Sequence, residues 1–216
     1  MSMKVARKAI DFCDNYDGSL TIGGGEPTLH PYFWSIIGEC LGSSNIETIW
    51  MATNGSKTDI ALRLANMAKK GIMGVALSQD EWHDEIDEKV IEAFKSKTNL
   101  YSKENNDYRE IRTVKSLINV GRAKANDLYC EEKQTCAGDD WFIKPNGDLR
   151  QCGCSDSPIL GNFLVDSFED IYEKMEKIRK ENGDGDHPCC HAVKEDYSEE
   201  EYKRVNKLME EVLVES

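Results

Sequence analysis

A glycine-rich loop within residues 20–31, LTIGGGEPTLHP, holds the residues best suited to binding a ligand. A short apolar stretch runs into the triplet Gly23–Gly25, and a backbone without side chains lets a ligand approach closely. Glu26 then offers a carboxylate to a cationic group, and Pro27 fixes the direction of the chain. The loop is neither a dinucleotide fingerprint nor a phosphate loop, because their glycine and lysine spacings are absent. It therefore predicts a ligand-binding turn, with a plain tight turn as the alternative.

A second group of candidate residues consists of cysteines, of which the chain has eight. The five that cluster towards the C-terminus are Cys136, Cys152, Cys154, Cys189 and Cys190. A hairpin pattern at residues 141–152 brings Cys136 and Cys152 towards one another, so that both thiolates can reach one metal. Clustered thiols in a chain without a secretion signal more often bind metal than form disulfides. An iron–sulfur cluster and a zinc ion both fit, with His187 and His191 as weaker ligands and buried structural thiols as the alternative.

Alternating helical and strand patterns predict the elements that position these residues. Helices are predicted at residues 4–13, 32–41, 58–70 and 86–94, and strands at 20–22, 46–52, 72–78 and 108–118. The alternation indicates βαβ units and a parallel sheet, and such sheets bind ligands at the carboxyl ends of their strands. Gly71 is expected to cap the third of these helices. Beyond residue 135 the pattern changes to the hairpin and two amphipathic helices, at residues 166–181 and 198–213.

The composition restricts the partners and the location of the chain. Its 216 residues fit one domain with a small appendage, and its net charge of −13 would repel the phosphates of a nucleic acid. No apolar run reaches the ~18 residues that indicate a membrane-spanning helix, and the N-terminus lacks the apolar core of a signal peptide. We therefore expect a cytoplasmic protein with no nucleic-acid partner and no membrane partner.

The glycine loop also resembles a known motif. Gly24-Gly25-Glu26-Pro27 is similar to the GGEP sequence of radical S-adenosylmethionine enzymes, which follows the second barrel strand and binds the amino group of the cofactor. Three later segments resemble motifs of that family, in the family's order: Thr53-Asn54-Gly55, Leu77-Ser78-Gln79-Asp80 with His83, and Asn119-Val120-Gly121-Arg122-Ala123. The resemblance spans residues 20–123 and implies a barrel that binds S-adenosylmethionine. Taken singly, each later segment is also an ordinary strand end or loop.

The resemblance implies a set of cofactor-binding residues. They are Gly23, Gly24, Gly25, Glu26, Pro27, Thr53, Asn54, Ser78, Asp80, Val120 and Gly121. The glycines and Glu26 would hold the amino group of the cofactor. Ser78 and Asp80 would reach its ribose or carboxylate, and the segment around Gly121 would lie near its adenine.

The defining cysteine motif of that family, CxxxCxxC, is absent from the sequence. In the family its thiolates hold the [4Fe–4S] cluster that cleaves the cofactor. Cys13 alone precedes the glycine loop, and its place on the apolar face of a predicted helix indicates a core residue. Two explanations stay open: a misassigned or shortened start that omits the first strand and the triplet, and natural loss in a degenerate relative. The first is favoured, because drift without selection would also erode the glycine loop.

The C-terminal cysteines carry a second resemblance. The spacing of Cys136, Gly147 and Cys152 is similar to the opening of SPASM and twitch extensions, which hold auxiliary iron–sulfur clusters in radical enzymes. The later CxxC run of SPASM modules is missing, so the resemblance implies a twitch-like module with a single [4Fe–4S] cluster. Relatives with such extensions often modify peptides, which implies a peptide or protein substrate. Zinc stays open as the alternative metal.

The predicted fold is α/β. It consists of an incomplete (β/α)6 partial TIM barrel that lacks the first strand, at residues 1–128, and a small hairpin–helix cysteine module at residues 129–216. The predicted function is that of a radical S-adenosylmethionine enzyme, in a chain that is truncated and inactive alone. The alternatives are a non-catalytic binding protein of the same fold and a zinc-stabilised interaction protein.

Overall fold

A computed structural model describes residues 1–16, 18–80, 82–96, 106–113, 141–150, 153 and 159–182. Its helices are α1 (Met3–Tyr16), α2 (Phe33–Gly42), α3 (Thr58–Lys69), α4 (Glu88–Phe94) and α5 (Phe168–Asn182), and a 3-10 turn spans Pro27–Leu29. Its strands are β1 (Ser19–Ile22), β2 (Thr48–Thr53), β3 (Gly74–Ser78), β4 (Arg109–Arg112), β5 (Phe142–Ile143), β6 (Asp148–Arg150) and β7 (Ile159–Asn162). The predicted alternation of helices and strands is confirmed over these residues.

The first four strands form one parallel sheet in the order β1-β2-β3-β4. Each strand lies beside the one that precedes it, and α2, α3 and α4 occupy the three connections. The chain is therefore α/β, with a four-stranded parallel sheet that is compatible with a partial barrel. Because all four strands run in the same direction, the loops that follow them meet at one edge of the sheet.

One face of this sheet is covered by the helices. Along β2, the buried residues Ile49, Met51 and Thr53 alternate with less buried ones, as expected for a strand that is covered on one side. The buried core that packs there is made of Ile10, Phe33, Ile37, Cys40, Ile49, Met51, Ala61, Leu64, Ala65, Ala68, Met73, Val75, Leu77, Val90 and Phe94. This core fixes the register of the strands, since a slip of one residue would move its apolar side chains to the other face.

The opposite face carries an aromatic residue that explains why β3 begins with a glycine. Trp50 and Gly74 are register partners on β2 and β3, and a Cβ atom at Gly74 would lie 2.5 Å from Cδ1 of Trp50. The indole ring thus occupies the space that a side chain at position 74 would need. The guanidinium of Arg112, on β4, lies 4.5 Å from the centre of the same ring.

The strand boundaries differ from the sequence-based ranges. The first strand begins at residue 19 rather than 20, and the second spans 48–53 rather than 46–52. The third strand starts at Gly74 rather than at residue 72, because the end of α3 uses the intervening residues. The amide of Ile72 donates to the carbonyl of Met67, and that of Gly71, at φ +72°, donates to Ala68, as in a Schellman motif. The predicted capping role of Gly71 is confirmed. The fourth predicted strand, 108–118, is described only as 109–112, and residues 114–118 lie outside the described part.

An ion pair forms at the start of β4, and its arginine also donates to the end of α4. Nε and Nη2 of Arg109 donate to the two carboxylate oxygens of Asp107 at 2.8 and 2.6 Å, while Nη1 donates to the carbonyl of Ala93 at 2.6 Å. Both charged side chains are largely buried, with 12% and 14% exposed. The hydrogen bonds from Arg109 hold the pKa of Asp107 below its ordinary value.

Asp107→Asn is expected to destabilise the protein by about 2 kcal/mol at pH 7, because it breaks a largely buried charge pair. The folded-state pKa of Asp107 is lowered, so its contribution is fully present above the unfolded pKa of about 3.9 and is lost as the pH falls through the folded value. Urea unfolding of wild type and variant should therefore differ at pH 7 and converge as the pH falls through the lowered pKa of Asp107. Asp11→Asn, at an exposed position on α1, is the control, and an equal change in both variants would contradict the assignment.

The contacts divide the chain into two compact units, residues 10–115 and residues 1–9 with 116–216. In the second unit β5, β6 and β7 form an antiparallel sheet in that order, and the predicted hairpin is confirmed as β5 and β6. The helix predicted at 166–181 is observed as α5, and β7 was not predicted. The helix predicted at 198–213 and the boundary predicted at residue 128 lie outside the described residues.

Packing in the second unit depends on a close approach of α5 to β7. Leu149, Leu160, Ile171 and Met175 are buried there, each with at most 1% of its surface exposed. A Cβ atom at Gly161 would lie 2.7 Å from Cγ1 of Ile171, so the absence of a side chain at this position lets the helix reach the strand.

Candidate functional site

The glycine loop lies directly after β1, at the carboxyl edge of the parallel sheet. Gly23, Gly24 and Gly25 are exposed, and a Cβ atom built on any of them would meet no atom within 4 Å. Gly24 has φ +138°, a conformation that side chains disfavour. Among the described residues, the backbones of Gly24 and Gly25 take part in no turn or loop hydrogen bond. The loop therefore presents bare backbone beside open space.

Glu26 ends the loop and accepts four hydrogen bonds through its carboxylate. Its Oε1 accepts from the amide and the hydroxyl of Thr28, at 3.1 and 2.6 Å, and from the hydroxyl of Thr53, at 2.9 Å. Its Oε2 accepts from the amide of Asn54 at 2.6 Å. Oε1 therefore accepts three hydrogen bonds and Oε2 only one, so Oε2 is the oxygen that can accept from a further donor.

The charge of Glu26 has no cationic partner within the part of the chain that the structure describes. Four donors from the protein stabilise the carboxylate and fix its orientation, but none of them is charged. A cation that approached Oε2 would meet an oriented negative charge beside the bare backbone of the glycine loop. The site therefore suits an ammonium group.

The end of β2 and the loop after it are hydrogen-bonded to the glycine loop through the carboxylate of Glu26. Thr53, the last residue of β2, is only 2% exposed, and its hydroxyl donates to Glu26 and accepts from the amide of Gly55. Asn54 donates through its backbone to Glu26, and its side chain accepts from the amide of Ser56. The predicted residues at the ends of β1 and β2 are thus brought together, but the side chain of Thr53 faces the protein rather than the solvent.

Asp80 follows β3 at the same edge of the sheet. Its Oδ1 accepts from the amide of Trp82 at 3.0 Å and lies 2.7 Å from Nδ1 of His83. The carboxyl side chain is 1% exposed, and its Oδ2 is buried without a hydrogen-bond partner among the described residues. A buried carboxylate oxygen without a donor is costly, so Oδ2 would gain from the hydroxyl of a ligand, which requires a shift of the Asp80 side chain that exposes this oxygen. Ser78, the last residue of β3, lies two positions before Asp80 in the sequence and is half-buried.

The polar groups of S-adenosylmethionine correspond to the groups that the described residues offer at this edge of the sheet. The cofactor carries an ammonium group and ribose hydroxyls, and the sheet edge offers a carboxylate without a cation and a buried acceptor without a donor. The bare backbone of the glycine loop leaves room for its amino-acid end. The residues present therefore fit this ligand. Val120 and Gly121, the candidates near the adenine, lie outside the described residues.

The cysteine predictions fall on parts of the chain that the structure leaves undescribed. Cys136, Cys152, Cys154, Cys189 and Cys190 all lie there, and the described residues contain no group of three or more metal-ligating side chains. Of the described cysteines, Cys13 is half-buried and Cys40 is buried in the core. Burial raises the pKa of Cys40 to about 11, which keeps its thiol protonated and unsuited to binding metal. The metal sites therefore stay predictions.

Sequence reasoning missed the part played by Thr28. This residue is 4% exposed and contributes two of the four donors to Glu26. A local signal was present, because proline is common at the first position of a helix, and Glu26 caps the 3-10 turn that begins at Pro27. The bonds from Glu26 to Thr53 and Asn54 had no such signal, because they join residues 27 and 28 positions apart.

The fold is similar to that of a solved structure, described as the crystal structure of BtrN in complex with AdoMet and 2-DOIA. The two share 14% sequence identity with a TM-score of 0.55, and the similarity covers 80% of this chain and 69% of that chain. At this identity the comparison shows the fold alone. No family model and no curated protein matches the sequence. Among the described helices, none is long and apolar enough to cross a membrane.

Proposed function

We propose that this chain binds S-adenosylmethionine at the carboxyl edge of its parallel sheet. The observation that carries the proposal is the pairing of a bare glycine backbone with a hydrogen-bonded carboxylate, Glu26, that has no cationic partner among the described residues. Oε2 of Glu26 would accept from the ammonium group of the cofactor. Oδ2 of Asp80 would accept from a ribose hydroxyl once a shift of its side chain exposes it. The solved structure of similar fold, BtrN, is bound to AdoMet, which supports the choice of ligand.

The reaction class that we propose is that of the radical S-adenosylmethionine enzymes. It is supported by the order of the glycine, Thr-Asn-Gly and Ser-Gln-Asp segments along the sheet edge. In that class an iron–sulfur cluster supplies the electron that cleaves the bound cofactor. The described residues do not offer the thiolates for such a cluster, so the role that we assign to them is to bind and orient the cofactor.

Calorimetric titration of the purified chain with S-adenosylmethionine tests the proposal. We expect saturable binding with one site, weakened about tenfold by Asp80→Asn, because the variant removes the charge of the buried acceptor. Asp84→Asn is the matched control, since Asp84 is an exposed carboxylate in the same segment and should leave binding unchanged. Absence of binding by the wild-type chain would refute the proposed function.

A further inference from the structure

The hydroxyl of Thr53 contacts the carboxylate that we place against the cofactor, but the buried position of Thr53 keeps it away from any ligand in the open space of the loop. We infer that Thr53 is a positioning residue, which acts on ligand binding only through Glu26. This inference rests on the proposed function, because it assigns a role at the same site.

The geometry shows why the carboxylate needs this support. Pro27 and Thr28 form a turn directly after Glu26, and the two donors from Thr28 hold Oε1 from one side. Thr53 donates to Oε1 from the neighbouring strand, 27 positions further along the chain. With Oε1 held by Thr28 in the turn and by Thr53 on β2, Oε2 is directed at the amide of Asn54, and the direction in which it can accept a further donor is fixed.

The hydroxyl of Thr53 also takes part in a second hydrogen bond, which fixes the direction in which it donates. It accepts from the amide of Gly55 at 3.1 Å, so its own hydrogen is left to donate to Glu26. A hydroxyl supplies one donor, and in this position that donor has a single acceptor. Loss of the hydroxyl would therefore release Oε1 from β2 and allow the carboxylate to rotate, although no atom that touches the ligand has been removed.

A double-mutant cycle tests the inference. Thr53→Val keeps the shape of the side chain without the hydroxyl, and we expect it to weaken binding of S-adenosylmethionine about tenfold in the wild-type background. In the Glu26→Gln background the same substitution should change binding by less than about twofold, because its route to the ligand is already lost. Thr53→Ser restores the hydroxyl and should bind within about twofold of wild type. An equal loss in both backgrounds would overturn the inference and leave the proposed function standing.

Hydrogen exchange of the Asn54 amide gives a second readout that needs no ligand. We expect faster exchange in Thr53→Val and wild-type exchange in Thr53→Ser, because the carboxylate that accepts from this amide is no longer held. Unchanged exchange in Thr53→Val would overturn the inference. If Thr53→Val does not fold, Thr53→Ala removes the same hydroxyl without adding a methyl group and carries the same two expectations. If the wild-type chain binds no S-adenosylmethionine, the proposed function falls, and the exchange measurement still decides whether Thr53 holds Glu26.

Discussion

Glu26→Gln is expected to weaken binding of S-adenosylmethionine by about 50-fold, the largest effect on binding that we predict for a single substitution. The carboxylate has no cationic partner among the described residues, so its charge is available to the ammonium group of the ligand. Glutamine removes that charge. Its amide nitrogen also replaces one of the two carboxylate oxygens. In place of Oε2 the nitrogen would face the amide of Asn54, and in place of Oε1 it would face the hydroxyls of Thr28 and Thr53. Two donors would then face each other, so the loop cannot keep its present arrangement.

Calorimetric titration measures this change, and Glu47→Gln is its control. Glu47 is an exposed carboxylate just before β2, so the control removes the same charge from the same part of the chain. Binding should be unchanged in the control, because long-range attraction between exposed charges is screened by salt. An equal loss of affinity in both variants would show that the overall negative charge, rather than the Glu26 contact, attracts the ligand.

Gly55→Ala is expected to destabilise the protein by about 2–4 kcal/mol, the largest stability effect that we predict. Gly55 has φ +72°, a conformation that costs an alanine roughly 1–2 kcal/mol. A Cβ atom there would also lie 2.9 Å from Cδ1 of Leu77 and 3.1 Å from Cγ2 of Ile86, and Leu77 belongs to the buried core. Backbone strain and overpacking therefore act together. Such a loss is a large share of the ~5–15 kcal/mol that stabilises an ordinary domain.

Urea unfolding at pH 7 measures the loss, and Gly38→Ala is the matched control. Gly38 lies within α2 and is exposed, and a Cβ atom added there would meet no atom within 4 Å. Alanine has a higher helix propensity than glycine, so the control should be more stable than wild type by about 0.5–1 kcal/mol. Equal unfolding midpoints for Gly55→Ala and wild type would contradict the packing of Leu77 and Ile86 against this turn.

The sequence predicted the elements well where the pattern was local. The apolar periodicity predicted α3, and the glycine at position 71 predicted where this helix ends, because a Schellman motif depends on a few consecutive residues. The Pro-Asn-Gly-Asp segment gave the hairpin of β5 and β6 for the same reason. The need for glycine at position 74 could not be predicted in this way. It depends on Trp50, which lies on another strand and fills the space beside Gly74.

The sequence by itself determined the chemical types at the candidate site. The glycine triplet, Glu26 and Asp80 follow strands of one parallel sheet, and strand direction alone places them at one edge. Only the tertiary structure decided what each side chain does there. It buried the hydroxyl of Thr53 against Glu26 and left Oδ2 of Asp80 without a donor among the described residues. Hydrogen bonds between strands depend on register and on distances of a few tenths of an ångström, which a linear pattern does not contain.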